Sequence, residues 1–134
     1  MIKELFKKKI TLILQVIKYF LVGISNTLIT LVIIYILWEL VGINQYLSNM
    51  IGYVVGVINS FLLNKLWTFK SKNSFVFESL KFLLVFLVMY AIQFSLVYLL
   101  NNYTLIPDKI NHIIGMVLYT VLGFVLNKIL VFRR

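Results

Sequence analysis

Four stretches of this chain run without Asp, Glu, Lys or Arg, the fourth carrying only His112 near its start, for about as long as a helix needs to cross a bilayer. They are positions 20–38, 46–64, 82–100 and 110–126, of 19, 19, 19 and 17 residues. A hydrocarbon core of roughly 30 Å takes about 20 residues of helix. Backbone amides and carbonyls find no water in lipid, so a spanning segment satisfies them as a helix or within a closed barrel. These runs are too long for barrel strands and lack the alternation of polar and apolar residues that a barrel requires. The segments ELVGINQ, KSKNS and NNYTLIPDK between them hold the turn-forming residues. Composition agrees, with 62% hydrophobic and 13% charged residues, the latter about half the share of a soluble domain. The expected fold class is an all-α integral membrane protein with four transmembrane helices, forming a single membrane domain over residues 1–134.

The basic residues orient it. Lys3, Lys7, Lys8, Lys9 and Lys18 precede the first span, Lys65, Lys70, Lys72 and Lys81 separate the second from the third, and Lys128, Arg133 and Arg134 follow the fourth. Only Lys109 falls on the other side, a split of twelve to one. Basic residues stay on the cytoplasmic side, which places both termini and the middle loop there. At the amino terminus, Ile2, Leu5, Phe6, Ile10 and Ile13 share one helical face. This predicts an amphipathic helix lying in the interface before the chain turns into the first span. A signal peptide is the rival reading, but no small-residue cleavage site follows. NSFVFESLKF is expected at the interface too, with Glu78 and Lys81 spaced to pair.

A second regularity lies on top of the first. FLLNKLWTF at 61–69 returns as FVLNKILVF at 124–132, and an offset of 63 carries 18–69 onto 81–132 without a gap. Fifteen of the 52 positions are identical, among them Lys18/Lys81, Tyr35/Tyr98, Gly52/Gly115, Asn64/Asn127 and Lys65/Lys128. Shared membrane-end rules would account for the lysines but not the register. We read a duplication into two helical hairpins of the same orientation, the parallel kind of repeat, each ending in Asn-Lys at its cytoplasmic exit.

Polar residues inside the spans are costly and need a reason. Asn26 lies eight residues beyond Lys18, about 12 Å deep, and Asn59 lies six before Lys65, about 9 Å deep on the same side. The plain alternative is a structural clasp across helices, worth about 1 kcal/mol, and it is preferred for Ser25, Thr27 and Thr30. Lysines at span ends commonly mark topology and snorkel, but Lys65 and Lys128 each follow an Asn at matched positions. A lysine beside amide donors suits a phosphate headgroup, so Asn26, Asn59, Asn64, Lys65, Asn127 and Lys128 form the candidate headgroup-binding set. Gly52-x-x-x-Gly56 allows close helix approach.

Other chemistries are thinly supported. The chain has no cysteine and one histidine, His112, which leaves no ligand set for a metal and no thiolate nucleophile. The net charge of +9, in a chain this apolar, suits anionic lipids better than nucleic acid. No span carries a mid-membrane carboxylate, as a small multidrug transporter would require. No cofactor and no enzyme activity are expected.

KYFLVGISNTLITLVIIYIL followed by NSFLLNKLWTF and a second hairpin ending FVLNKILVF resembles the GtrA-like family of four-span membrane proteins, from about Lys18 to Phe132. The most specific parts are Gly23-x-x-Asn26-Thr27 and Asn59-x-Phe61-Leu62-Leu63-Asn64-Lys65-x-Trp67-x-Phe69. Thr30 stands where the family often has Asp, and Leu122 where it often has a second Asn. The resemblance implies a flippase in the bacterial cytoplasmic membrane. Its substrate would be a polyprenyl-phosphate-linked monosaccharide, of undecaprenyl-phosphate type, used in cell-envelope polysaccharide synthesis or teichoic acid glycosylation. It also implies a membrane glycosyltransferase as partner. A chain this short further suggests a homo-oligomer or a complex. The alternative is a non-transporting anchor for that glycosyltransferase.

Overall fold

A computed structural model describes residues 2–133. Four α-helices follow one another: α1, Ile2–Tyr35; α2, Gln45–Leu63; α3, Phe75–Tyr103; and α4, Asp108–Leu126. All four are long and apolar enough to cross a membrane. The chain divides into two units, Met1–Lys70 and Ser71–Arg134, each a hairpin of two helices.

In the first hairpin the reversal between α1 and α2 needs Gly42, whose φ of +79° is disfavoured for residues with a Cβ. Asn44 then caps α2, its side-chain oxygen accepting from Leu47 N–H at 2.9 Å. Gly52 and Gly56 bring α2 hard against α1. A Cβ on Gly52 would lie 2.6 Å from Ile34 Cγ1 and 3.1 Å from the Thr30 carbonyl. Thr30 Oγ1 crosses the seam to donate to the Gly52 carbonyl at 3.3 Å. Val22 and Phe61 are buried along it, while Phe20, Leu28, Leu31 and Tyr53 point outward, as lipid-facing residues do.

In the second hairpin Pro107 caps α4, where its missing N–H costs nothing. Gly115 meets α3, with an added Cβ falling 2.7 Å from Val97 Cγ2 and 3.3 Å from Gln93 Cγ. Val85, Met89 and Val97 are buried on α3.

Two details differ from the sequence reading. The expected turn between the amphipathic segment and the first span is absent: residues 2–35 form one continuous helix. Nothing between Lys3 and Val22 breaks a helix, neither Gly nor Pro, so the segment extends the span. Glu78, expected to pair with Lys81, is turned inward instead. It is 2% exposed and accepts a hydrogen bond from Ser71 Oγ, while Lys81 is exposed. Burying a carboxylate requires such donors, and the loop ahead of α3 supplies one.

Candidate functional site

Both Asn-Lys pairs open a turn wider than an α-turn. Residues Asn64–Thr68 continue α2, and Asn127–Val131 continue α4, as π-helical turns. Phe69 N–H donates to the Asn64 carbonyl at 2.9 Å, and Phe132 N–H to the Asn127 carbonyl at 2.8 Å. Such turns insert one residue into the helix and recur at functional sites. Here the insertion lets adjacent residues of one helix end turn inward together: Asn64 is 1% exposed and Lys65 6%.

The surroundings of the pairs are built by each hairpin itself. Asn64 Nδ2 donates to Ser60 Oγ at 3.4 Å, one turn back. Its Oδ1 is buried with no hydrogen-bond donor, as is Thr68 Oγ1 one turn on. On α1, Lys18 reaches the same end of the hairpin: Nζ lies 3.5 Å from the Trp67 carbonyl and 5.2 Å from the centre of its ring, a cation–π contact. Tyr19 packs on Phe69 with ring centroids 6.3 Å apart. In the second hairpin Asn127 Nδ2 donates to the Gly123 carbonyl at 2.8 Å. Lys128 is half-buried, its Nζ 5.7 Å from the Phe124 ring centre.

Deeper in the first hairpin lies a polar seam. The position of a Cβ on Gly56 would clash with Thr30 Oγ1 and fall 2.6 Å from Asn26 Oδ1. Asn26 Oδ1 and Asn59 Nδ2 are buried, and neither has a hydrogen-bond partner. The two amides therefore share the seam but do not bond to each other. A buried unmatched acceptor or donor costs about 1–3 kcal/mol, so the seam is held at the expense of stability. Thr30, by contrast, forms the clasp expected of it.

The six predicted residues thus fall into two sets. Asn26, Asn59, Asn64 and Lys65 line one seam and one helix end in the first hairpin; Asn127 and Lys128 occupy the corresponding end of the second. Sequence reasoning missed Thr68, although it falls one turn beyond Asn64 and on the same side. It also missed the inward carboxylate of Glu78. The chain has no cysteine, and no group of three His, Cys, Asp or Glu capable of holding a metal occurs among the described residues. A lysine beside amides is an arrangement that can bind and position an anion.

Known proteins carry the same pattern. Residues 18–132 match the family model described as the GtrA/DPMS transmembrane domain. Over 116 residues the chain is 30% identical to the prophage bactoprenol-linked glucose translocase homolog of Escherichia coli (strain K12), covering 87% of this chain and 92% of that protein. A match that runs from Lys18 to Phe132, through both hairpins and both Asn-Lys turns, makes this chain a member of the GtrA/DPMS transmembrane family of four-span membrane proteins.

Proposed function

We propose that this protein carries a polyprenyl-phosphate-linked monosaccharide, of undecaprenyl-phosphate type, across the bacterial cytoplasmic membrane. The product would serve envelope polysaccharide or teichoic acid glycosylation. The observation that carries the proposal is Lys65, an ammonium 6% exposed at the end of a membrane helix, beside the buried amide of Asn64. A lysine turned inward at a helix end instead of snorkelling to the surface, beside an amide, suits the recognition of a phosphate headgroup. The relative named as a bactoprenol-linked glucose translocase homolog points to the same substrate class.

In this reading both termini are cytoplasmic, a placement supported by the twelve-to-one split of basic residues. In the first hairpin Lys18 and Lys65 draw the anionic head to the membrane surface and Asn64 offers hydrogen bonds to it; in the second, Lys128 and Asn127 play the same parts. Asn26 and Asn59 replace part of its hydration beyond that point, while the polyprenyl tail stays in lipid. No bond is made or broken. Transport runs downhill, driven by use of the sugar on the outer side, with a membrane glycosyltransferase producing the lipid-linked sugar inside. We further propose that the hairpins descend from a duplication of residues 18–69 onto 81–132.

The test is a liposome assay with a fluorescent polyprenyl-phosphate monosaccharide and an impermeant reagent that reacts with exposed sugar. Wild-type protein should expose the sugar rapidly, and Lys65→Ala should slow exposure at least about tenfold, more than Lys128→Ala. Exposure no faster than in protein-free liposomes, with the protein folded, would reject translocation and favour the anchor for a glycosyltransferase.

A further inference from the structure

The second hairpin contains a groove of about 370 Å³ at the end away from Asn127, within the range of about 300–1,000 Å³ that small-molecule sites occupy. Tyr90, Gln93, Tyr98, Asn101, Asn102 and His112 line it. From Gln93 to Asn101 it follows α3 for about 12 Å. Its lining alternates aromatic faces with amides, and the amides are not interchangeable. Asn111, completely buried, donates through Nδ2 to Asn101 Oδ1 at 2.7 Å and to the Ile106 carbonyl at 3.2 Å. The oxygen of Asn101 is thereby committed, and its N–H groups remain to donate. Asn102 is set the other way: its Nδ2 donates to the Tyr98 carbonyl at 2.7 Å, and its oxygen remains to accept.

A neighbouring donor and acceptor, flanked by tyrosine rings, match one chemical class well. A sugar hydroxyl both donates and accepts, and the apolar C–H face of a pyranose stacks on an aromatic ring. An alkyl chain would leave Gln93, Asn101 and Asn102 unsatisfied, and an inorganic anion has no use for the acceptor of Asn102. We infer that this groove binds the monosaccharide head of the lipid-linked substrate, at the end of the hairpin opposite its Asn-Lys turn. The inference rests on the proposed function for its substrate class. It adds a second station: the sugar is joined directly to the phosphate, so the head leaves the basic end before its sugar reaches the groove.

The experiment uses the full chain in nanodiscs and two radiolabelled probes, citronellyl phosphoglucose and citronellyl phosphate, with methyl glucoside as competitor. Gln93→Leu keeps the bulk that meets Gly115, and Tyr98→Ala removes one ring; circular dichroism checks that both variants keep wild-type helicity. The groove predicts at least fivefold weaker binding of citronellyl phosphoglucose by both variants, with citronellyl phosphate unchanged. The inference is overturned if the variants bind the sugar-bearing probe as wild type does, or if both probes weaken equally. No preference by wild type for the sugar-bearing probe would overturn it too. Competition by methyl glucoside separates recognition of a free sugar from recognition that needs the lipid. Sugar-dependent binding without transport in liposomes would reject translocation and leave the groove standing, whereas transport with unchanged binding would reject only the groove.

Discussion

The two hairpins share a frame and differ in what they place inside it. Adding 63 to a residue number converts one set of contacts into the other. Gly52 against Ile34 and Thr30 becomes Gly115 against Val97 and Gln93. The Tyr19–Phe69 ring pair at 6.3 Å becomes Phe82–Phe132 at 6.1 Å. The buried Ser48, whose hydroxyl donates to the Ile43 carbonyl at 3.3 Å, becomes the buried Asn111, whose amide donates to the Ile106 carbonyl at 3.2 Å. The wide turns starting at Asn64 and Asn127 coincide. The interior seam does not repeat: Asn26, Thr30, Gly56 and Asn59 correspond to Met89, Gln93, Tyr119 and Leu122. Contacts that hold a hairpin together recur, whereas the seam of Asn26 and Asn59 appears once, the second hairpin having a buried unmatched oxygen at Asn111 instead. The halves are built alike and equipped differently inside.

The comparison can be broken most forcefully at the glycines. Gly52→Ala pushes a Cβ against side chain and backbone, and Gly115→Ala against side chains alone. Thermal unfolding in detergent should show a loss of about 3 kcal/mol for Gly52→Ala and about 1 kcal/mol for Gly115→Ala. Equal losses would mean that the two frames tolerate crowding alike. Exchanging the seams comes next. Met89 is 1% exposed, so Met89→Asn buries an amide without planned partners and should cost about 2 kcal/mol. The reverse change, Asn26→Met, removes an unmatched acceptor. Its unfolding midpoint should stay at or above the wild-type value while transport in liposomes falls at least fivefold; unchanged transport would make Asn26 a structural residue. The smallest effect is expected at Thr30→Val, which deletes the bond to the Gly52 carbonyl for about 0.6 kcal/mol.

Much of this was legible before any coordinates, because lipid leaves few choices. The four spans follow from charge-free length, and the hairpins from short polar connections. The family was recognisable from Asn59 to Phe69. What hydropathy could not convey was local geometry. Leu, Ile and Phe satisfy a π-turn as well as an α-turn, so nothing in NKLWT or NKILV announces the extra residue. Glu78, in the first turn of α3 with Lys81 three residues on, looks like a surface ion pair. In the fold it is buried, and a serine seven residues earlier reaches back across a loop to donate to it. The continuous α1 was missed for the opposite reason: amphipathic and spanning segments look like separate objects, yet nothing between them stops a helix. The groove on α3 was invisible because its donors and acceptors are set by bonds, from Asn111 across a turn to Asn101 and from Asn102 to the Tyr98 carbonyl.

The wide turn after Leu63 also determines what kinds of genetic change the protein tolerates. A π-turn amounts to a one-residue insertion accommodated without unwinding the helix. Deleting Leu66 would let the helix end close to α-geometry and cancel the insertion. Phe69 would keep roughly its face toward Tyr19, but the joint inward turn of Asn64 and Lys65 would be lost, although neither residue had been altered. Substitutions at Leu66, which is 66% exposed, should pass almost unnoticed. This position therefore accepts most replacements and no removal, because what it contributes is its place in the count.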